Sequence, residues 1–256
     1  MRNFHNYKVM VTLQPDTEKQ FLKDYNPNDF DRPSTAVDSV IYSVFDDELH
    51  VLIVKRANHP FRDYWSLVGG YVDLQNDTDL IDTAMRKLIE KTGVKTPYLE
   101  QFNTIGNKTR DPRGWSITTV YFALLPVDSI TLEAGHGAQD IKWAKLTNGK
   151  VKEKLAFDHD AILKACTKRL RDKVLYTSLP IHLMPEKFTL NGLQRVYEII
   201  IDNKIDHKSF RRRLLNADIL EETGEMQKTG RRPAMLYKLK KSNETFFFLR
   251  NLEGSQ

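Results

Sequence analysis

Cysteine is almost missing from this sequence: Cys166 is the one thiol among 256 residues. A lone thiol excludes an internal disulfide and a cysteine-built metal cluster. Apolar runs of the roughly 20 residues that span a bilayer are missing too. The opening residues, MRNFHNYKVMVTLQP, lack the apolar core of a secretory signal. Internal repeats and low-complexity segments are also absent. These absences point to a soluble, cytoplasmic protein that does not engage a membrane.

Apolar residues make up 40% of the chain, enough for a packed core. The net charge of +5 is unevenly placed. Residues 1–169 carry 23 Lys and Arg against 23 Asp and Glu, whereas residues 170–256 carry 16 against 11. The excess therefore sits in the last third, which suggests two domains with different partners. A pI near 9.1 does not by itself imply nucleic acid.

Residues 1–34 are polar and proline-containing, and read as a short strand or helix followed by a loop. The runs STAVDSVIYSVF and ELHVLIVKR are rich in strand formers and meet at DDE, a hairpin pattern. YWSLVGGYV reads as a short strand that breaks at Gly69-Gly70. Apolar residues at Leu80, Ile81, Ala84, Met85 and Leu88 predict a helix over 77–92, closed by Gly93. Further strands are expected in YLEQFNTIGN, WSITTVYFALLP and AQDIKWAKL. The segment DHDAILKACTKRLRDKV predicts an amphipathic helix, with Asp158 or Asp160 as N-cap.

A second unit follows. PEKFTLNGLQRVYEIII predicts a helix with Leu193, Val196, Tyr197 and Ile200 on one face. DHKSFRRRLLNADIL predicts another, N-capped by Asp206, with Phe210, Leu214 and Leu215 inward. EETGEMQKTGRRPAMLYKLKK then reads as strand, turn, strand. Helix, turn, helix and hairpin in that order form a winged helix-turn-helix pattern. Successive helical residues lie about 100° apart, so at least two of Arg211, Arg212 and Arg213 face solvent. His207, Lys208 and Ser209 stand at the helix start, where such helices reach base edges. Lys228, Arg231 and Arg232 supply a basic wing. The alternative is a merely solvated basic face. The tail FFFLRNLEGSQ is apolar enough to dock.

In the first half, YWSLVGGYVDLQNDTDLIDTAMRKLIEKTGV resembles the Nudix box, G-x5-E-x7-R-E-U-x-E-E-x-G-U, with U a bulky aliphatic. Arg86 matches the arginine, Leu88 and Val94 the aliphatics, and Glu90 the first of the later glutamates. Lys87 and Lys91 stand where two glutamates belong. Counted from Gly70, the pattern is out of phase by two residues, so QNDTD contains an insertion and the early glutamate has no clear equivalent. Nudix hydrolysis needs a divalent metal to neutralise a pyrophosphate and activate water. Mg²⁺ needs several carboxylate or water oxygens. The resemblance therefore implies a phosphate-binding domain without a metal site, and weak or no hydrolysis. Lys87 and Lys91 could neutralise phosphate as point charges or simply face solvent. Arg86 could bind ligand or pair with Glu90.

Other candidate ligand contacts are Lys55 and Arg56 at a strand end, the pair Gly69 and Gly70, and Arg110 and Arg113 in the loop RDPRGW. Guanidinium groups suit bidentate phosphate contacts. Trp65 and Tyr64 could stack on a base, or pack in the core.

Together the two halves resemble the Nudix-related transcriptional regulators of the NrtR type, over about residues 35–241. The resemblance implies an α+β fold: a Nudix-type α/β/α sandwich with mixed sheet, followed by a winged helix-turn-helix domain. It implies an N-terminal extension at 1–34, a Nudix-like effector domain at 35–170, a linker at 171–187, the winged helix at 188–242 and a tail at 243–256. It further implies a homodimer that binds double-stranded operator DNA of NAD metabolism genes. ADP-ribose or a related NAD metabolite is the implied effector, and no cofactor is expected. The rival readings are a Nudix pyrophosphatase acting on ADP-ribose or a sugar nucleotide, and an adaptor for RNA or protein.

Overall fold

A computed structural model describes residues 17–93, 98–130, 132, 138–229, 232–240 and 245–248. The chain divides into two compact units, residues 1–33 and residues 34–256. In the first, α1 (Glu18–Asp24) is capped by Thr17, whose hydroxyl accepts from the Gln20 amide at 3.2 Å. The helix alternative read for this segment is the one found. Its large apolar side chains Phe21, Leu22, Tyr25 and Phe30 are exposed.

The second unit is built on a mixed sheet. β1 (Ser34–Phe45) and β2 (Glu48–Arg56) form the expected hairpin, antiparallel in register from Tyr42–Val51 to Phe45–Glu48. Its tip is Asp46-Asp47, both at positive φ, as a two-residue hairpin turn requires. β3 (Trp65–Ser66) pairs with the end of β2, and β4 (Val68–Tyr71) pairs with β1 from Ala36–Tyr71 to Ser39–Val68. The glycine pair thus lies within a strand rather than ending one. A Cβ on Gly69 would lie 2.3 Å from Asp38 Oδ1 and 2.5 Å from Val37 O, so only glycine lets β4 come this close to β1.

On its other edge β1 runs parallel to β6 (Ser116–Leu124), which pairs antiparallel with β5 (Tyr98–Asn107). β7 (Ala138–Lys145) pairs with β2.

Helices cover both faces. α2 (Leu80–Thr92) packs Ala84 and Leu88 against Val37, Ile41 and Val68. It starts three residues later than the spacing suggests, because Asp79 and Asp82 form a reciprocal capping box there. Gly93 closes it at φ 70°, as expected. Ile81, counted among the apolar face, is exposed; Thr83 is buried instead. α3 (His159–Val174) buries Ile162, Leu163, Cys166 and Leu170 against the opposite face, where Tyr42 meets Thr167 at 3.0 Å. This is the α/β/α layering expected.

Much of the segment read as a linker, residues 171–187, packs into the core, while residues 185–187 are exposed. α3 continues to Val174, and the 3-10 turn Leu179–Leu183 buries Leu179, Pro180, Ile181 and Leu183. The apolar side chains of this stretch explain the difference. One core cluster runs from β1 and α3 through this turn into α4 (Leu190–Ile201), α5 (His207–Asn216), β9 (Leu220–Thr229) and β10 (Arg232–Leu239). β10 pairs with β9 and with β8 (Phe188–Thr189), completing a three-stranded wing. Phe210 and Leu214 point inward as expected, whereas Leu215 is exposed, since its helical position falls on the outer face. Of the tail, residues 245–248 dock and the rest lie outside the described residues: the Ser178 amide donates to Phe246 O and the Phe248 amide to Tyr176 O, at 2.9 and 2.8 Å. Among the described residues no helix is long and apolar enough to cross a membrane.

Candidate functional site

Where β4, β6, the 108–115 loop and the start of α3 converge, a cleft of about 240 Å³ opens. Five of the ten expected ligand residues line it: Arg56, Gly69, Gly70, Arg110 and Arg113. Lys91 joins them as a buried ammonium whose pKa is held down by desolvation. It is therefore not on a solvated face.

The remaining expected residues are placed differently. Lys55 and Trp65 face each other across the β2–β3 pair, outside the cleft. Lys142 lies over the Trp65 ring at 4.5 Å and Lys154 over Tyr64 at 4.7 Å; neither ring lines the cleft, and Trp65 packs against the core. Arg86 is committed to Asp77: its Nε and Nη2 donate to the two carboxylate oxygens at 2.8 and 2.5 Å. Asp77 also accepts from Thr83 Oγ1 at 2.6 Å. Arg86, the first cause, holds its carboxyl far below the usual carboxylate range. The insertion thus delivers a carboxylate partner for Arg86 that box alignment missed. Lys87 passes over Gly70, where a Cβ would lie 2.8 Å from Lys87 Cε. It pairs with Glu90 at 2.9 Å, and Arg86 approaches the same carboxylate at 3.5 Å. Among the described residues, no cluster of three His, Cys, Asp or Glu side chains is placed to hold a metal ion.

The cleft floor is a buried network that periodicity did not reveal. Asp38 accepts from Thr118 Oγ1 at 2.8 Å and from Arg110 Nη2 at 3.4 Å. Arg110 also donates to Asp158 from Nε and Nη2, at 3.1 and 3.0 Å. His159 Nδ1 accepts from the Leu67 amide at 3.0 Å, which leaves the proton on Nε2, 3.7 Å from Asp38. Burial pushes the His159 pKa down. A signal for Asp38 existed: a carboxylate inside an apolar strand run needs a buried partner.

The walls are cationic and aromatic. Arg113 forks onto Asp111 at 3.0 and 2.7 Å, which raises the arginine pKa and lowers that of the aspartate. Its guanidinium lies 5.4 Å from the Tyr71 ring and 5.9 Å from the Phe157 ring. Arg56 sits over the other approach to Phe157 at 4.7 Å, its pKa lowered by burial first and by Arg113 second. Two guanidiniums, a buried ammonium and two rings make a receptor for an anion carrying a planar or sugar group.

The basic helix is built separately. α5 is N-capped by Asp206, which accepts from the Ser209 amide at 2.8 Å. Lys208, Arg211 and Arg212 are exposed; Ser209 and Arg213 are half-buried, flanking Phe246 and Phe248. His207 is exposed as well, and its Nδ1 lies 2.8 Å from Gln194 Oε1 of α4. Lys228 is exposed on β9. Arg231 and the side chain of Arg232 lie outside the described residues.

Comparison with known proteins supports both halves. Residues 35–166 match the NUDIX domain and residues 180–239 the NrtR DNA-binding winged helix domain. The chain is 44% identical to the ADPR responsive transcriptional repressor NtrR of Acinetobacter baylyi, over 93% of this chain and 94% of that one. The chain belongs to the NrtR family.

Shewanella oneidensis NrtR complexed with a 27mer DNA superposes with a TM-score of 0.79 at 42% identity, covering 86% of this chain and 99% of that one. The NUDIX domain of the same NrtR complexed with ADP ribose gives 0.54 at 38% identity, covering 60% and 99%. The mixed sheet between α2 and α3 is thus a Nudix domain, and α4, α5 and the wing are an NrtR winged helix.

Proposed function

We propose that this chain is a transcriptional repressor of NAD metabolism genes that binds operator DNA through α5 and the wing. ADP-ribose or a related NAD metabolite occupies the cleft and changes the affinity for DNA. The observation that carries the reading is one continuous core that joins a cationic, aromatic cleft to an exposed arginine helix. Arg56, Arg113 and Lys91 meet the pyrophosphate, and Phe157 and Tyr71 meet the base or sugar. Lys208, Arg211 and Arg212 face the major groove, with Lys228 and the wing on the backbone.

The ligand is bound and released intact. Glu90, the box glutamate that remains, is engaged by Lys87 and Arg86, and Lys91 brings positive charge to the cleft. The protein acts as a homodimer on a palindrome whose half-sites are separated by about 34–36 Å or a multiple.

The test is a linkage measurement. ADP-ribose affinity is determined with and without saturating operator DNA, selected from genomic fragments at fixed salt. The two values differ if the reading holds, by the same factor that ADP-ribose changes DNA affinity. Equal values, or AMP release with Mg²⁺ at ordinary enzyme rates of about 1–10³ s⁻¹, overturn it.

A further inference from the structure

Asp158 occupies the N-cap position of α3, yet its side chain makes no capping hydrogen bond. Both its oxygens accept instead from Arg110, which lines the cleft and reaches Asp38 and Ser116 as well. The preceding residue, Phe157, is held at φ 55°, a left-handed backbone that a bulky side chain rarely adopts. Arg56 and Arg113 both lie against its ring. The first turn of α3 is therefore uncapped by its own aspartate, strained at its entry and tied to cleft cations.

The other end of α3 is fixed on the winged helix. Arg171 Nε donates to Ile200 O at 3.0 Å, holding the last turn of α4. Leu170 and Val174 share a core cluster with Val196, Tyr197 and Ile200. At 1.5 Å per residue the 16 residues of α3 form a rod of about 24 Å between cleft and α4.

We propose that Asp158 is a positioning residue that reads the occupancy of the cleft and passes it along α3 to the DNA-binding helices. The inference rests on the regulator reading above. An anion entering the cleft competes with Asp158 for the Arg110 guanidinium. The released carboxylate is then free to accept from the Asp160 amide, as an N-cap aspartate does. Asp158 on Arg110 and Asp158 on α3 are the two arrangements, and the ligand favours the second. The first turn of α3 and the Phe157 backbone shift between them, and α4 follows through Arg171. Coupling thus needs a discrete exchange of one hydrogen-bond partner rather than a gradual deformation.

The experiment uses the full chain and ADP-ribose as probe. It reads the ratio of ADP-ribose dissociation constants with and without operator DNA. The wild-type ratio is expected in the usual allosteric range, about 5- to 150-fold. Asp158→Ser supplies a cap but no carboxylate for Arg110, and its ratio falls to one while both ligands still bind. Asp158→Glu restores the carboxylate and recovers the ratio. A role in stability alone moves both affinities and leaves the ratio unchanged. Should Asp158→Ser fail to fold, Arg171→Met cuts the other end of the rod, and its ratio must fall to one with the cleft intact. A wild-type ratio that persists in Asp158→Ser, or in Arg171→Met, overturns the inference alone. A wild-type ratio of one overturns the regulator reading and this inference with it.

Discussion

The cleft and the recognition helix both gather arginines, but they use them in opposite ways. Around the cleft, Arg86, Arg110 and Arg113 are each forked onto an aspartate of their own fold. On α5, Arg211 and Arg212 are exposed. Under the proposed function the contrast follows from the size of the two ligands. A small anion offers few contacts, so its receptor has to be oriented before it arrives, as Asp111 orients Arg113. A DNA backbone is a long array of charge, and cations that remain solvated gain affinity by releasing its counterions. An arginine run in a sequence says nothing about which regime applies; the carboxylates nearby decide it.

The contrast is sharpest if one arginine is removed from each side. Arg110→Met leaves Asp38 buried and Asp158 part-buried without their cation. We expect a loss of about 3–5 kcal/mol in stability, read as a fall in denaturant midpoint at unchanged slope. Arg212→Ala should leave that midpoint unmoved and cost about 1–3 kcal/mol in operator affinity, if it pairs with a guanine; anisotropy at fixed salt measures it. Swapped outcomes would collapse the distinction. Gly69→Ala probes the packing beneath the cleft: its Cβ meets Asp38 and the Val37 carbonyl. Overpacking of that kind costs about 1–3 kcal/mol, and calorimetry should show it without any change in DNA affinity per folded molecule.

The mildest test is by pH. The Asp77 carboxyl is held far below its unfolded value by Arg86, so the folded state keeps it charged where the unfolded chain takes up a proton. Its contribution is complete above the unfolded pKa of about 3.9 and fades as pH falls toward the depressed folded value. Asp77→Asn should flatten the acid limb of the stability curve below about pH 4 and leave the neutral-pH shape alone. An unchanged acid limb would show that this aspartate does not hold Arg86.

How much of this was legible depends on the distance over which a residue's role is set. Strands, caps and the winged helix follow local pattern: Asp206 before HKSF and Gly93 after a helical run announce themselves. Arg56, Arg110 and Arg113 were singled out because guanidiniums in loops and strand ends suggest phosphate, and all three line the cleft. Asp38, Phe157 and His159 were missed because their meaning arises only when β1, the 108–115 loop and α3 meet. Trp65 was left open between stacking and core packing, and it packs against the core beside β2 with Lys142 over its ring. The resemblance implied a linker at 171–187, yet Leu179, Pro180, Ile181 and Leu183 turn inward there and join the core.

The parallel pairing of β1 with β6 sets an order of assembly during synthesis. Val37 pairs with Thr119, and the ring of Asp38, Thr118, Arg110 and Asp158 closes only when α3 begins. At roughly 5–20 residues per second, the 82 positions from Val37 to Thr119 take on the order of 4–16 s to appear. During that interval the β1–β2 hairpin, local and quick to form, waits with its β6-facing edge unpaired. The DNA-binding half emerges after the cleft can already close. On the proposed reading the cleft is complete before the winged helix, and the exposed edge of β1 is where crowding or slow translation would first cause misassembly.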